Sequence, residues 1–110
     1  MEDGVFSPKL ISDALLTTKS EIAKTLGLAQ DVFSRAERLR AKKTQTRLRE
    51  MLEILIRANQ FTDSLLAAYA WYRSKPIIGF GERTASSLVR DGHADYVHEY
   101  FDHIEAGGYA

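Results

Sequence analysis

Three histidines near the C-terminus are the residues whose type could bind a metal ion. His93, His98 and His103 are five residues apart, and on a helix each such step rotates the side chain by about 140°. A metal-binding pair on a helix needs a spacing of four residues, so this spacing scatters the imidazoles. The chain has no cysteine, which excludes disulfides, thiolate ligands and thiol nucleophiles. We therefore expect no metal site.

Other catalytic patterns are also weak. Gly79-Phe80-Gly81 is followed by no Lys-Ser/Thr pair and preceded by no strand, so it is not a phosphate-binding loop. Four carboxylates form an acidic face on the last predicted helix instead of a paired catalytic site: Asp95, Glu99, Asp102 and Glu105. We expect no enzyme activity, no cofactor and no small-molecule substrate.

The charges of the chain are strongly segregated, although the net charge is zero. Residues 35–49 contain seven basic side chains against one acidic, whereas residues 82–110 contain two basic against six acidic. A basic segment in a neutral chain indicates one surface that faces a polyanion, with nucleic acid as the first candidate. The alternative is a solvated helix face whose charge is balanced by the acidic C-terminal segment.

The elements that must position these residues are predicted to be helices throughout. Ser7-Pro8 is a helix start, which predicts a first helix over about residues 8–17. Thr18-x-x-Glu21 is a capping box that starts a second helix, and Gly27 ends it. A third helix is predicted to begin near Gln30-Asp31, with an apolar face made by Val32, Phe33, Ala36 and Leu39.

A long fourth helix is predicted from about Thr44 to Tyr72. Polar residues near Gln60 interrupt its pattern and allow a kink or a break there. Its apolar stripe, expected to form the surface of a homodimer, consists of Leu48, Leu52 and Leu55. The alternative is a helix buried within one protomer. Lys75-Pro76 ends this helix, a short helix follows from Thr84 to Gly92, and a last one spans about residues 94–105.

The second helix, Gly27 and the third helix together resemble the helix-turn-helix of Xre-type regulators. Small Ala23 precedes Gly27 by four residues, where two helices cross closely. The resemblance implies that the groove-facing side of a recognition helix carries Gln30, Ser34, Arg35 and Arg38. It also implies that phosphates are neutralised by Lys42, Lys43 and Arg47. Ala29 and Asp31 depart from the pattern, and the alternative is a helix-turn-helix that no longer binds DNA and only dimerises.

The last 40 residues carry a second resemblance. It depends on Ala70-Trp71-Tyr72, the turn Lys75-Pro76-Ile77-Ile78-Gly79-Phe80-Gly81, the step Leu88-Val89-Arg90-Asp91-Gly92 and the ending Gly107-Gly108-Tyr109-Ala110. This segment is similar to the toxin-binding C-terminal domain of the MbcA/ParS/Xre antitoxins, which are partners of RES-domain toxins. The resemblance implies that the tail blocks the cleft in which the toxin consumes NAD⁺. The toxin-binding residues that it implies are Trp71, Phe80, Arg83, Arg90, Gly107, Gly108, Tyr109 and Ala110.

Together these observations predict an all-α protein, a small helical bundle with three regions. Residues 1–43 form the helix-turn-helix region, 44–69 the long connecting and dimerisation helix, and 70–110 the toxin-binding domain. The expected partners are a cognate RES-domain toxin, operator DNA and a second copy of the chain. With no apolar run long enough to span a membrane and no secretory signal in Met1-Glu2-Asp3-Gly4, we expect a cytoplasmic protein. The alternatives are a stand-alone Xre-like transcriptional regulator and a purely structural dimerisation module.

Overall fold

The chain folds into α-helices, as the sequence predicts. A computed structural model describes residues 5–107, which form seven α-helices and one 3₁₀ turn and contain no strand. None of the helices in this range is both long and apolar enough to cross a membrane. In chain order the elements are α1 Pro8–Ala14, α2 Lys19–Thr25, the 3₁₀ turn Val32–Ser34, α3 Ala36–Leu39, α4 Lys42–Ala58, α5 Leu65–Ser74, α6 Ala85–Arg90 and α7 Ala94–Glu105.

The helix starts predicted at Ser7, Thr18 and Thr84 and the helix stops predicted at Gly27 and Gly92 are confirmed. The side-chain oxygens of Ser7, Thr18 and Thr84 each accept a hydrogen bond from the backbone N–H three residues later, at 3.3, 3.0 and 3.1 Å. Gly27 and Gly92 follow α2 and α6 with φ of +70° and +83°. This left-handed conformation is one that glycine adopts without a steric penalty. Caps and turn glycines therefore define both ends of these two short helices.

The prediction of one continuous third helix is wrong. The 3₁₀ turn is separated from α3 by Arg35, whose backbone is extended with φ −119° and ψ 122°. No side chain caps the start of either segment, and α3 is only four residues long. Val32 and Phe33 are buried in the core, whereas Ala36 is exposed and not packed between helices. Short uncapped helices are marginal, so burial of Val32 and Phe33 decides the local conformation.

The predicted long helix is two helices, with the break in the polar stretch that interrupts the pattern. Asn59 ends α4, and Ser64 starts α5 by accepting a hydrogen bond from the Ala67 N–H at 3.0 Å. The first helix is also shorter than predicted, because Leu16 takes a positive φ of 52° after α1. Helix boundaries thus follow the capping residues more closely than the apolar periodicity.

Helix α4 is the centre of the bundle and packs against α3, α5, α6 and α7. Leu48 and Leu55 are buried and Leu52 is half-buried. The prediction that these three residues form an exposed dimer stripe is therefore wrong, because they pack within the protomer. Ile56 on the same helix is 65% exposed, so a different side of α4 faces solvent.

The C-terminal helices pack directly on the N-terminal unit. Ser86 of α6 donates a hydrogen bond from Oγ to the backbone oxygen of Thr25 at 2.6 Å, and both residues are buried. The side chain of Arg90 covers Gly27 so closely that an added Cβ would lie 3.0 Å from the Arg90 Cγ. A single hydrophobic core therefore spans the described helices.

Candidate functional site

An aromatic cluster on α7 is the most distinctive feature of the C-terminal half. Phe101 is buried, and its ring lies 5.5 Å from the ring of Trp71 and 6.0 Å from each of the rings of Phe61 and Tyr100. The guanidinium carbon of Arg57 lies 5.1 Å from the same ring centre. Phe101 therefore joins α5 and α7 through aromatic contacts, and it contacts α4 through the Arg57 guanidinium.

An open cavity of about 290 Å³, here called the aromatic cleft, lies beside this cluster. It is lined by Ala58, Phe61, Thr62, Trp71, Lys75, Pro76, Ile78, Tyr100, Phe101 and Ile104. Phe61 is 49% exposed and Ile78 is 59% exposed, so much of the apolar lining contacts water. Exposed apolar surface of this kind, with a few polar groups at its edge, is typical of a partner-binding site.

A second cavity of about 480 Å³ adjoins the aromatic cleft and shares Ile78 and Tyr100 with it. The other lining residues are Gly79, Phe80, Glu99, Asp102, His103 and Ala106. Carboxylates therefore lie beside the apolar cleft, and the end of α7 forms part of the rim. The two cavities offer a partner one surface with an apolar part and an acidic part.

A charged cluster around Arg57 fixes α7 against α4. The Arg57 Nη2 lies 2.9 Å from Asp102 and 3.1 Å from Glu105, and its Nη1 lies 3.1 Å from the Nδ1 of His98. Desolvation lowers the pKa of Arg57, but the hydrogen bonds and charges of the two carboxylates raise it above its ordinary value. The acidic face of α7 is therefore partly used within the protein, while Asp95 and Glu99 remain exposed.

Two of the predicted toxin-binding residues come together at this surface. Half-buried Trp71 lines the aromatic cleft, and half-buried Phe80 lines the adjoining cavity with its ring 5.7 Å from that of Tyr96. Arg83 instead donates to the Ser87 Oγ at 2.8 Å and pairs with Asp91.

The remaining predicted toxin-binding residues lie elsewhere or beyond the described range. Arg90 is exposed and covers Gly27, so it belongs to the junction with α2. Gly107 follows α7 with φ +90° and is exposed. Gly108, Tyr109 and Ala110 lie outside the described residues. The part of the predicted site near the cleft is therefore Trp71, Phe80 and the beginning of the tail.

Several residues of the cleft were missed by the sequence analysis, namely Phe61, Lys75, Ile78, Tyr100 and Ile104. A signal did exist for two of them. Phe61 is the one aromatic residue in a polar interruption, and Ile78 lies in a glycine-rich turn. Its neighbour Ile77 is buried and takes the core position in that turn. An apolar residue in a polar segment indicates either a core contact or a binding surface, and only the fold distinguishes them.

The predicted DNA-binding residues form an exposed basic surface but not a recognition helix. Gln30, Ser34, Arg35, Arg38, Lys42 and Lys43 are all exposed. Gln30 lies in a loop, Ser34 in the 3₁₀ turn, Arg35 in extended backbone and Arg38 on α3, so the predicted placement of these four residues along one side of a single helix is wrong. Lys42 and Lys43 lie in the first turn of α4. Arg38 also lies 3.5 Å from Asp31, which places one carboxylate within the surface.

Arg47 differs from the other basic residues because it is used within the protein. It is half-buried, and its Nη1 donates a hydrogen bond to the backbone oxygen of Leu26 at 2.6 Å. The carbonyls at the end of a helix lack partners within that helix. Arg47 thereby satisfies a carbonyl at the end of α2.

The three histidines have separate environments. His93 lies at the N-cap of α7 and stacks on Tyr96, with ring centres 4.4 Å apart and an interplanar angle of 4°. His98 contacts Arg57. Between residues 5 and 107 no group of three or more His, Asp or Glu side chains is arranged to hold a metal ion.

Comparison with known proteins gives no relative from which a function could be transferred. No family model, curated protein or solved structure matches this chain. A functional assignment therefore depends on the aromatic cleft, the basic surface and the resemblances of the two sequence segments.

Proposed function

We propose that this chain acts in the cytoplasm as the antitoxin of a type II toxin–antitoxin pair. In this proposal it binds a RES-domain toxin and blocks the cleft in which the toxin consumes NAD⁺. The observation that carries the proposal is the aromatic cleft, because most of its lining residues belong to the segment similar to the toxin-binding domains of MbcA/ParS/Xre antitoxins. Trp71, one of the residues on which the resemblance depends, lines that cleft.

The composition of the cleft suits a protein partner. Phe61 and Ile78 expose apolar surface that a partner can bury, at about 25 cal/mol per Å² of surface removed from water. Half-buried Trp71 contacts Phe101 at 5.5 Å, so its ring is already ordered before a partner binds. Ordered aromatic residues beside exposed apolar ones are typical of the residues that dominate binding energy.

The tail is the second part of the proposal. Ala106 lines the cavity next to the aromatic cleft, and Gly107 follows directly. The segment from Gly107 to Ala110 contains two glycines, a tyrosine and an alanine, so it is narrow enough to enter an enzyme cleft. In this arrangement the aromatic cleft anchors the toxin and the adjoining tail blocks its active site.

A co-expression growth assay tests the cleft. The reading frame adjacent to this chain's gene is first searched for a RES-domain toxin. The chain is then co-expressed with a toxin of that class, and cell growth and cellular NAD⁺ are measured. We expect Ile78→Lys to abolish protection, because an unpaired ammonium would be buried at the interface. Ile78→Val keeps the apolar surface and serves as the matched control. Full protection and normal NAD⁺ with Ile78→Lys would contradict the proposal.

Truncation tests the tail separately. Deleting residues 107–110 should leave the helical circular dichroism spectrum unchanged, because α7 ends at Glu105 and terminal residues add little core burial. We expect the truncated chain still to bind the toxin in a pull-down assay but to give no protection in the growth assay. Full protection by the truncated chain would exclude blocking by the tail.

DNA binding is a second candidate function, through which the chain would autoregulate its operon. The observation that favours it is the exposed basic surface, in particular Lys42 and Lys43 in the first turn of α4. The positive end of the helix dipole disfavours cations at that position. Helix stability therefore does not account for these lysines, whereas contacts with phosphates would.

A salt-titrated binding assay on the chain's own promoter, with and without toxin, tests this function. Each neutralised phosphate releases counterions, so six to ten contacts should reduce affinity on the order of a thousandfold or more between 50 and 200 mM salt. The double variant Lys42→Ala/Lys43→Ala should weaken operator and random DNA equally. Lys19→Ala/Lys24→Ala, at two exposed lysines of α2 to which no binding role is assigned, removes the same charge as a control. Operator binding without any toxin partner would favour a stand-alone regulator.

A further inference from the structure

The aromatic cleft and the second cavity beside it form one continuous surface whose two parts differ in charge. The second cavity, here called the acidic cavity, has a volume of about 480 Å³, and its lining includes Glu99 and Asp102. Ile78 and Tyr100 line both cavities, so a segment that fills one of them is next to the other. A partner that covers the whole surface therefore needs an apolar group for the aromatic cleft and a second group suited to carboxylates.

The negative charge of the acidic cavity is only partly neutralised by Arg57. The Arg57 Nη2 lies 2.9 Å from Asp102 and 3.1 Å from Glu105, so one guanidinium pairs with two carboxylates. Glu99 lies three residues before Asp102, on the same side of α7. Glu99 is exposed, and no ion pair joins it to another residue between 5 and 107. The cavity thus contains more carboxylates than this guanidinium can pair with.

The other cations of the C-terminal segment do not line the acidic cavity. Residues 82–110 contain two lysines or arginines in all. Of these, Arg83 pairs with Asp91, and Arg90 lies over the turn after α2. Lys75 lines the aromatic cleft but not the acidic cavity. At neutral pH the cavity therefore has an excess of negative charge, which attracts a cation and repels nucleic acids and anionic membranes.

We propose that the acidic cavity binds an arginine side chain of a partner protein, beside an apolar side chain of the same segment that occupies the aromatic cleft. The inference rests on the proposed function, in which the toxin supplies this segment. Arginine suits the cavity better than lysine, because its planar guanidinium pairs with a carboxylate through two hydrogen bonds and also stacks on an aromatic ring. Half-buried Phe80 and Tyr100 line the cavity and supply such rings.

The protein itself contains the same combination of groups at Arg57. The guanidinium carbon of Arg57 lies 5.1 Å from the ring centre of Phe101, while its Nη2 donates to the Asp102 Oδ1 at 2.9 Å. A carboxylate accepts several hydrogen bonds, and the side chain of Asp102 is 71% exposed. An arginine of the partner can therefore approach Asp102 and Glu99 from the solvent side and form this arrangement a second time.

The two parts of the surface contribute differently to binding. Burial of an apolar side chain in the aromatic cleft supplies affinity by removing exposed apolar surface from water. Charged groups across an interface mainly fix the orientation of the partner and raise the association rate. The arginine therefore determines which segment is accepted. Salt should weaken binding, because it screens partly exposed charges.

Selection from a random peptide library displayed on phage, with the full chain as the target, tests the chemistry of the partner without the toxin. The relevant peptides are those that bind wild type but not Ile78→Lys. We expect these peptides to be enriched in an arginine next to a large apolar residue. Glu99→Lys should lower their affinity about a hundredfold or more, because it places two cations in one cavity.

Asp95→Lys is the matched control for Glu99→Lys. It makes the same change of charge on the same helix, at an exposed residue that lines neither cavity. We expect it to change the affinity of the selected peptides less than about threefold, because salt screens the more distant charge. Circular dichroism checks that both variants have the helix content of wild type.

Three results of the selection would overturn the inference. The first is a set of cleft-binding peptides without a preference for arginine. The second is an affinity that Glu99→Lys leaves unchanged, or that Asp95→Lys lowers equally. The third is a selection that yields no peptide sensitive to Ile78→Lys, since the surface would then bind no such segment.

Titration with a RES-domain toxin distinguishes failure of this inference from failure of the proposed function. Equal toxin binding by wild type and Glu99→Lys, at low and at high salt, would exclude the arginine contact and keep the antitoxin function. Arginine-containing peptides that bind at the cleft, without toxin binding by wild type, would exclude the toxin as the partner and keep the recognition of a cationic segment. Toxin binding that is lost in Glu99→Lys and retained in Asp95→Lys would support both.

Discussion

The N-terminal region, residues 5–40, and the C-terminal region, residues 65–107, are both helical but are held together by different interactions. In the N-terminal region, side-chain caps and the turn at Gly27 fix short helices, and the charged side chains point to solvent. In the C-terminal region, aromatic rings converge on Phe101. Caps and a turn glycine also bound α5 and α6, and buried residues also support the N-terminal helices, so the difference between the regions is the convergence of aromatic rings in the C-terminal one.

The two regions also differ in whether the residues proposed to bind a partner contribute to the stability of the fold. The exposed lysines of the basic surface can be replaced with little effect on the fold, because surface charges contribute little to stability. In the aromatic cleft, buried Phe101 and exposed Phe61 belong to one cluster. A partner that binds there contacts the same rings that hold α7 in place.

The largest loss of stability is expected from a substitution in the aromatic cluster. Phe101→Ala should lower the free energy of unfolding by about 3–5 kcal/mol, because it leaves a cavity at the centre of the ring contacts. Phe61→Ala removes a ring that is stacked on Phe101 but half exposed, and should cost about 1 kcal/mol. Urea denaturation at neutral pH measures both. Equal losses for the two variants would show that the cluster is not centred on Phe101.

The next largest loss of stability is expected from a substitution at Gly27, in the turn after α2. Gly27→Ala should cost about 2–3 kcal/mol, because alanine is strained at positive φ and its Cβ would press on Arg90. Gly92→Ala, at a similar φ, meets no described heavy atom within 4 Å, so only the strain of about 1 kcal/mol remains. Thermal unfolding of the two variants separates strain from contact. If both variants lose equal stability, the contact with Arg90 contributes nothing.

A third prediction distinguishes structural from exposed cations. Arg47→Ala should lower stability by about 2 kcal/mol, because it leaves the Leu26 carbonyl without its charged hydrogen-bond donor. Lys43→Ala should change stability by less than about 0.5 kcal/mol. Chemical denaturation tests this before any DNA experiment is interpreted. A stability loss in Lys43→Ala similar to that in Arg47→Ala would contradict the distinction between a structural Arg47 and an exposed Lys43.

The fold was predictable from the sequence where a local signal specified the structure. Thr18 and Gly27 encode the limits of α2 through hydrogen bonds and φ values that involve only near neighbours. The third helix was not predictable in the same way, because its conformation depends on burying Val32 and Phe33 against elements distant in sequence. Without a capping residue at Ala29, local preference could not maintain a continuous helix.

The candidate sites were likewise predictable only where a local sequence signal specified them. Apolar residues occupy more than one face of α4. Periodicity alone does not show which of these faces the other helices cover. Leu48 was therefore assigned to the surface although it is buried, whereas exposed Ile56 received no role. In the C-terminal half, the resemblance identified Trp71 as a site residue. The place of Phe61 in the cleft depends on the break between α4 and α5, which the sequence pattern allows but does not establish.

The smallest predicted effect is specific to the C-terminal region, because all five tyrosines lie at or after residue 69. Tyr72 is fully buried, and its hydroxyl has no hydrogen-bond partner among residues 5–107. Desolvation by burial raises the pKa of Tyr72 well above its ordinary value of 10.0. Tyr72→Phe should therefore be stabilising by about 1 kcal/mol at neutral pH, because it removes a buried unpaired polar group.

The pH dependence of the same variant gives an independent measurement. Above about pH 10 the unfolded chain loses the Tyr72 proton while the folded chain keeps it, so the unfolded state binds fewer protons and stability falls as pH rises. Below that pH the contribution is fully present. Wild type should lose about 1.4 kcal/mol per pH unit more than Tyr72→Phe in this alkaline range. Urea denaturation on both sides of pH 10 checks this. Parallel pH profiles would mean that the Tyr72 hydroxyl ionises within the folded protein, and that the core of the C-terminal region admits solvent.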